Sequence, residues 1–196
     1  MLKKLFFTAT FLILFSTNVQ AQRFSEKGWG LVNLEKHQVK FNLVSPGLSY
    51  EIGLFKNTTA STSFGLGLAT YEEGYSFGFA WHTRLRYYTN LKRRLNLNKN
   101  VAGNSGDYIA PARSIFWSPL QISNNLNTAD DYAIAFYGLL YGVQRTYEKG
   151  FNFNVELGAG YYLGDGLPNG YGPFFNFTFG WTPKKRKPQK VILNQK

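Results

Sequence analysis

Apolar and polar side chains alternate in the stretch SFGFAWHTRLRYYT, residues 76–89. Alternate positions on one side hold mostly large apolar residues, namely Phe77, Phe79, Trp81, Leu85 and Tyr87. The positions between them hold small or polar residues, namely Ser76, Gly78, His82, Arg84 and Arg86. A period of two predicts a β-strand with one apolar and one polar face. The nature of the protein then depends on whether the apolar face points into a core or out into lipid.

The same alternation recurs along the chain, with turn residues between the segments. It predicts eight strands, at residues 38–45, 48–55, 62–70, 75–89, 106–117, 131–147, 151–164 and 171–181. Pro111 weakens the fifth strand because proline cannot donate to a strand ladder. Residues 90–105 form a longer, basic connection and residues 118–130 form a loop. An even number of antiparallel strands places both chain ends on the same side.

The N-terminus has the layout of a secretory signal peptide. Lys3 and Lys4 precede a short apolar segment, and the small residues Val19 and Ala21 precede the expected cleavage point. The apolar segment is too short to cross a bilayer as a helix. We therefore predict a signal peptide at residues 1–21, a periplasmic lead-in at 22–37, a β-barrel domain at 38–182 and a basic periplasmic tail at 183–196.

The composition favours a membrane barrel over the other all-β folds. Of 196 residues, 18% are aromatic and 20 are glycine, while the mean hydropathy is only −0.26. Beyond the N-terminus, no apolar run is long enough for a transmembrane helix. The sheet must close on itself, because lipid cannot satisfy the hydrogen bonds of a sheet edge. The chain has no cysteine, which excludes disulfides and thiol chemistry.

Four segments carry a resemblance to known proteins: VKFNLVSPGLSYEIGLFKN, RLRYYTNLKRR, NSGDYIA and GVQRTYEKGFNFNVELGAGYY. Over about residues 38–182 the chain resembles the small eight-stranded outer-membrane proteins of Gram-negative bacteria, and among them a group of uncharacterised barrels common in Bacteroidetes. The resemblance implies an outer-membrane location, contact with outer-membrane lipid, folding by the barrel assembly machinery and a monomeric state. The chain departs from the pattern where FNFTFGW is followed by TPKKRKPQKVILNQK, since many such barrels end at an aromatic residue of the last strand.

If the apolar faces meet lipid, the polar faces line the barrel interior. They would place a lumen charge cluster there, made of Glu51, His82, Arg84, Arg86, Arg113 and Glu156, with Lys40, Asn152 and Asn154 nearby. The bore of an eight-stranded barrel is only wide enough for its own side chains. Buried charges must pair, so we predict that Glu51 and Glu156 form ion pairs with the arginines and plug the lumen.

Three functions are compatible with this sequence. The first is a plugged barrel with a structural or envelope-integrity role, and the second is a barrel that binds or transports a small ligand. The third is a lipid A-modifying acyl hydrolase or transferase, which needs a nucleophile beside a histidine base. The chain has only His37 and His82, and no Ser–His motif stands out, so we do not expect an enzyme.

The histidine and cysteine content and the net charge limit which metals, cofactors and macromolecules the chain is expected to bind. Two distant histidines and no cysteines predict no metal site, and no motif predicts a cofactor. The net charge is +11, with basic residues gathered in the tail and at 92–94. Export from the cytoplasm argues against a nucleic-acid partner, whereas anionic lipid headgroups could attract these basic groups.

Overall fold

The protein is described by a computed structural model that covers residues 34–71, 74–124, 133–164 and 169–183. The predicted signal peptide, nearly all of the lead-in and nearly all of the basic tail lie outside the described residues. The described part contains eight strands and one short helix, α1. Their bounds are β1 His37–Val44, β2 Gly47–Phe55, β3 Thr58–Tyr71, β4 Gly74–Tyr88, α1 Leu91–Asn96, β5 Gly106–Asn124, β6 Ala133–Thr146, β7 Phe151–Gly164 and β8 Gly170–Trp181.

The eight strands form a closed antiparallel barrel in sequence order. Each strand pairs with the next, and β1 closes the ring against β8 through the pairs Phe41↔Trp181 and Val44↔Phe179. This confirms the predicted fold class of an all-β, eight-stranded, up-and-down barrel. Among the described residues, no helix has the length and apolar character needed to cross a membrane.

The fifth strand differs most from its prediction. β5 runs from Gly106 to Asn124, so the first part of the predicted loop 118–130 is strand. Pro111 lies within the strand and points outward. The pairing of β4 with β5 is interrupted opposite it, between Arg84↔Ala112 and Tyr87↔Ile109. Proline has no backbone N–H to donate, and the barrel accommodates this with a gap in the β4–β5 ladder. On the other side of the strand, Pro111 still pairs with Leu139 of β6.

The two faces of the barrel are inverted relative to a water-soluble protein. On β4, Trp81, Leu85 and Tyr87 are 48%, 47% and 49% exposed on the outer wall, whereas Arg84 and Arg86 are each only 5% exposed. Large apolar side chains are exposed on all eight strands, for example Phe41, Leu48, Phe64, Ile109, Leu139, Leu157 and Phe175. The apolar face of the alternating pattern is therefore the outer wall.

One end of the barrel is closed by the connection between β4 and β5. This end, where β1 begins and β8 ends, is here called the terminal end, and the opposite end is the loop end. The connection contains α1, which the sequence did not predict, and its Leu91 and Val101 pack with Leu34 and Tyr88. Gly103 and Asn104 both have positive φ angles, of 64° and 57°. That turn contributes the fully buried side chain of Asn104 to the interior network described below.

Close packing inside the wall makes Gly142 a sensitive position. A methyl group at Gly142 would overlap the Tyr108 ring, which is held by hydrogen bonds of 2.6 Å to both Asn154 and Glu156. We expect Gly142→Ala to lower the free energy of unfolding by about 1–3 kcal/mol, the usual range for overpacking. A urea titration of the folded protein in detergent micelles measures this change.

Gly170→Ala is the matched control, because a methyl group there would meet no atom within 4 Å. It should leave the urea midpoint nearly unchanged. Equal effects of the two substitutions would contradict the packing described around Tyr108.

Candidate functional site

The interior of the terminal half holds a hydrogen-bonded ionic network centred on Glu51. The side chain of Glu51, on β2, is 1% exposed, and both of its oxygens are hydrogen-bonded. Its donors come from four other strands and from the connection. Oε1 accepts from Thr59 at 2.9 Å, Tyr88 at 2.7 Å and Asn104 at 2.8 Å, and Oε2 accepts from Lys40 at 3.0 Å, Arg86 at 3.1 Å and Gln144 at 3.4 Å.

The second carboxylate, Glu156 on β7, is fully buried, and both of its oxygens accept hydrogen bonds. Oε1 accepts from Tyr108 at 2.6 Å and from Arg86 Nη2 at 3.2 Å. Oε2 accepts from Asn176 Nδ2 at 2.8 Å. Arg84 Nη2 lies 2.7 Å from Oε2, as an ionic contact without hydrogen-bond alignment. Four charge-bearing or polar partners thus hold this carboxylate in one position.

Arg86 joins the two carboxylates into one network. Its guanidinium donates to Glu51 and to Glu156, and Nη1 also donates to Gln144 Oε1 at 2.9 Å. The guanidinium lies 4.6 Å from the centre of the Tyr108 ring, within the range of a cation–π contact. One side chain therefore cross-links β2, β4, β6 and β7 through the middle of the barrel. The sequence predicted that Glu51 and Glu156 pair with Arg84, Arg86 or Arg113, and the observed ion pairs involve Arg84 and Arg86.

His82 occupies a different part of the interior. It points inward from β4 nearer the loop end, where Nδ1 lies 2.7 Å from Ser114 Oγ. Its ring contacts the Phe174 ring edge-to-face, with centroids 6.0 Å apart. In the part of the chain that the structure describes, His82 forms no ion pair. The predicted cluster therefore divides into an ionic network and a separate Ser–His contact.

The prediction that Arg113 lines the lumen was wrong. Arg113 is exposed on the outer wall, and its guanidinium lies 5.6 Å from the centre of the Tyr137 ring. The inward positions of β5 are taken by Tyr108, Ala112 and Ser114. Small and apolar residues occur on both faces of this strand, so the alternating pattern could not decide which face was inside.

Six further members of the network were not predicted from the sequence, and Thr59 and Asn176 are two of them. Tyr88 and Tyr108 are fully buried and donate their hydroxyl groups to the carboxylates. Gln144 lies on β6, which has apolar residues on both faces, so the sequence pattern did not show which face of this strand points inward. Asn104 comes from the connection, and no periodic pattern extends that far.

The loop half of the interior is filled by aromatic rings. Phe136 packs against Tyr162 and Phe174 with centroid distances of 4.9 and 4.7 Å, and Leu140 completes the cluster. The described interior thus passes from an ion-paired half to a half dominated by aromatic rings, in which the His82–Ser114 contact also lies. Among the described residues, no group of three or more His, Cys, Asp or Glu side chains could hold a metal ion.

Comparison with known proteins adds no relative. No family model matches the chain, no curated protein matches it, and no solved structure matches it.

Proposed function

We propose that this chain is an outer-membrane β-barrel whose lumen is plugged by its own side chains, with a structural or envelope-integrity role and no enzymatic activity. The proposal is carried by the inversion of the two faces, in which a buried ionic network is enclosed by an exposed apolar wall. The protein would act as a monomer in contact with outer-membrane lipid. The signal peptide, the folding by the barrel assembly machinery and the absence of a nucleic-acid partner belong to the same proposal.

The outer wall supports insertion in a membrane. Leu43, Leu68, Leu157 and Phe175 are 60–68% exposed and come from four different strands. Water-soluble monomers rarely expose contiguous apolar surface on this scale, because its hydration is unfavourable. Lipid removes that penalty, and the closed ring leaves no sheet edge to be satisfied. The resemblance of residues 38–182 to Bacteroidetes outer-membrane barrels points to the same environment.

The packing of the interior favours a plug over a pore. The ionic network crosses the terminal half, the aromatic rings fill the loop half, and the connection covers the terminal end. The interior cavity beside Arg84 and Arg86 has a volume of about 20 Å³, which is room for one water molecule or small ion. A transported or bound organic ligand needs a cavity of several hundred cubic ångströms.

A lipid A-modifying enzyme is the second candidate, and the His82–Ser114 contact of 2.7 Å is the observation that favours it. A serine nucleophile needs its base at this distance, but it must also reach the lipid. Both side chains point inward, beside Phe174, whereas lipid would lie against the outer wall. The mass spectrum of lipid A from a strain that overproduces the protein should therefore stay unchanged. A new lipid A species that disappears on His82→Ala would favour the enzyme.

Gel mobility of the outer-membrane fraction, heated against unheated, tests the location and the barrel together. A barrel inserted in the membrane resists detergent and changes its mobility only when boiled. We expect the protein in that fraction with such a shift. Recovery of the protein in the soluble periplasm would overturn the proposal.

Planar bilayer recordings test the plug. We expect the purified, refolded protein to give no sustained channel conductance, because the described side chains fill both halves of the bore. The recording should use a preparation that shows the heat-dependent gel shift, so that silence does not reflect unfolded protein. Steady channels from such a preparation would favour the transport function instead.

A further inference from the structure

A groove lies on the outer wall beside Pro111, where the ladder between β4 and β5 is interrupted. Its volume is about 630 Å³, within the range of small-molecule sites, and it opens outward rather than into the bore. On β3 the outward side chains of the groove are small, because Ala60 and Thr62 lie between larger residues of β2 and β4. The floor of the groove reaches the buried residues Ser61, Arg84 and Ala112.

The groove has a polar side and an apolar side, formed by two rows of residues that pair across β2 to β5. The row nearer the loop end is Tyr50, Thr62, Thr83 and Arg113, and the row nearer the terminal end is Ile52, Ala60 and Leu85, with Pro111 beside it. An amphipathic molecule therefore fits the groove in one direction only, with its polar part toward the loop end.

Arg113 places a positive charge on the polar side that no carboxylate of the described residues neutralises. Its guanidinium lies 5.6 Å from the centre of the Tyr137 ring. The strand positions within four residues of Arg113, and of its pairing partners Thr83 and Tyr137, contain no aspartate or glutamate. By contrast, Asp107 and Arg145 form an ion pair of 2.6 Å. Because an arginine facing lipid without a partner is unfavourable, the counter-charge of Arg113 is expected from outside the chain.

We propose that this groove binds a phosphate-bearing lipid of the outer leaflet, of the lipid A type. Its phosphate accepts charge-assisted hydrogen bonds from the Arg113 guanidinium, and an acyl chain packs against Ile52, Leu85 and Pro111. The site lies on the outer wall, apart from the His82–Ser114 contact in the interior, and involves no chemical step.

The inference rests on the membrane location proposed above, in which the terminal end is periplasmic. The Arg113 side of the groove then lies toward the outer leaflet. A phospholipid of the inner leaflet would instead place its headgroup toward the apolar row, where Ile52 and Leu85 offer no charge.

Native mass spectrometry of the refolded protein in maltoside micelles tests the site, because this detergent contains no phosphate. Lipid A is the probe, and lipid A from which the phosphates have been removed is the comparison. We expect one tightly bound lipid A per barrel and about tenfold weaker binding of the dephosphorylated form, as expected for the loss of hydrogen bonds between charged groups. Inorganic phosphate at the same concentration should not displace the lipid. Equal binding of the two lipids, or displacement by inorganic phosphate, would overturn the proposal.

Three variants locate the binding. Arg113→Gln should weaken lipid A binding about tenfold, whereas Lys56→Gln removes a charge from an exposed turn and should leave it unchanged. Ala60→Leu fills the apolar side of the groove and should weaken binding of lipid A both with and without its phosphates. Each variant is used only after it shows the heat-dependent gel shift of a folded barrel. Unchanged lipid A binding by Arg113→Gln would overturn the assignment.

The result can be separated from that of the membrane proposal. Protein from the outer-membrane fraction that shows the gel shift, but does not distinguish lipid A from its dephosphorylated form, would contradict this inference alone. Protein recovered in the soluble periplasm would contradict the membrane proposal, and with it the orientation on which this inference rests.

Discussion

Glu51→Gln is expected to lower the free energy of unfolding by about 3–5 kcal/mol, the range found when one partner of a buried ion pair is removed. The substitution preserves the size of the side chain but removes the charge that Lys40 and Arg86 face at 3.0 and 3.1 Å. It also turns one acceptor into an N–H donor amid groups that already donate. Urea titration of the refolded protein in micelles, followed by intrinsic tryptophan fluorescence, measures the change.

Two comparisons make this result specific to the network. Glu148→Gln, in an exposed turn, should change the stability by less than about 0.5 kcal/mol. Glu51→Gln combined with Lys40→Met should recover part of the loss, because the second substitution removes a cation that no longer faces the Glu51 charge. A small effect of Glu51→Gln alone would mean that the interior is hydrated and that these charges are screened.

Leu157→Arg should cost about 2–4 kcal/mol when the protein folds into lipid vesicles, the range for an arginine on the lipid face of a barrel near the bilayer midplane. Leu157 is 60% exposed at the middle of β7 and paired with Phe175 of β8. In water, the same change would replace an exposed apolar group with a well-hydrated one. The measurement is the fraction folded in vesicles as a function of urea concentration.

Leu97→Arg is the matched control, because Leu97 is 55% exposed but lies in the connection at the terminal end. It should leave folding into vesicles almost unchanged. If Leu157→Arg were equally harmless, the apolar wall would not face lipid, and the membrane proposal would fail.

The sequence predicted those features that depend on a period of two. On β4, the assignment of Phe79, Trp81 and Leu85 to one face and Arg84 and Arg86 to the other agrees with the structure, because the two sets differ sharply in polarity. The presence of eight strands and the pairing of Glu51 and Glu156 with inward-facing arginines follow from the same pattern. Once a ring of this size closes, inward charges of opposite sign lie within reach of one another.

Other features depend on contacts that no local pattern records. Arg113 was misplaced because β5 has small or apolar residues on both faces, and the end of β5 was set too early because Ser118 and Pro119 resemble the start of a loop. α1 is six residues long, too short for a helical period to be read. The contribution of Asn104 arises from a turn that enters the barrel 53 residues away from its partner Glu51.

The wide spread of Glu51's donors along the chain has a consequence for the order of folding. Thr59 is 8 residues from Glu51, whereas Tyr88 is 37 and Gln144 is 93 residues away. The partners that are distant in sequence can contact Glu51 only after most of the strands have paired, because the loop-closure entropy between them must be lost first. We therefore expect the network to be largely absent from the folding transition state and to act mainly by slowing unfolding. Once β1 has paired with β8, we expect slow unfolding, as well as a favourable free energy of folding, to maintain the barrel.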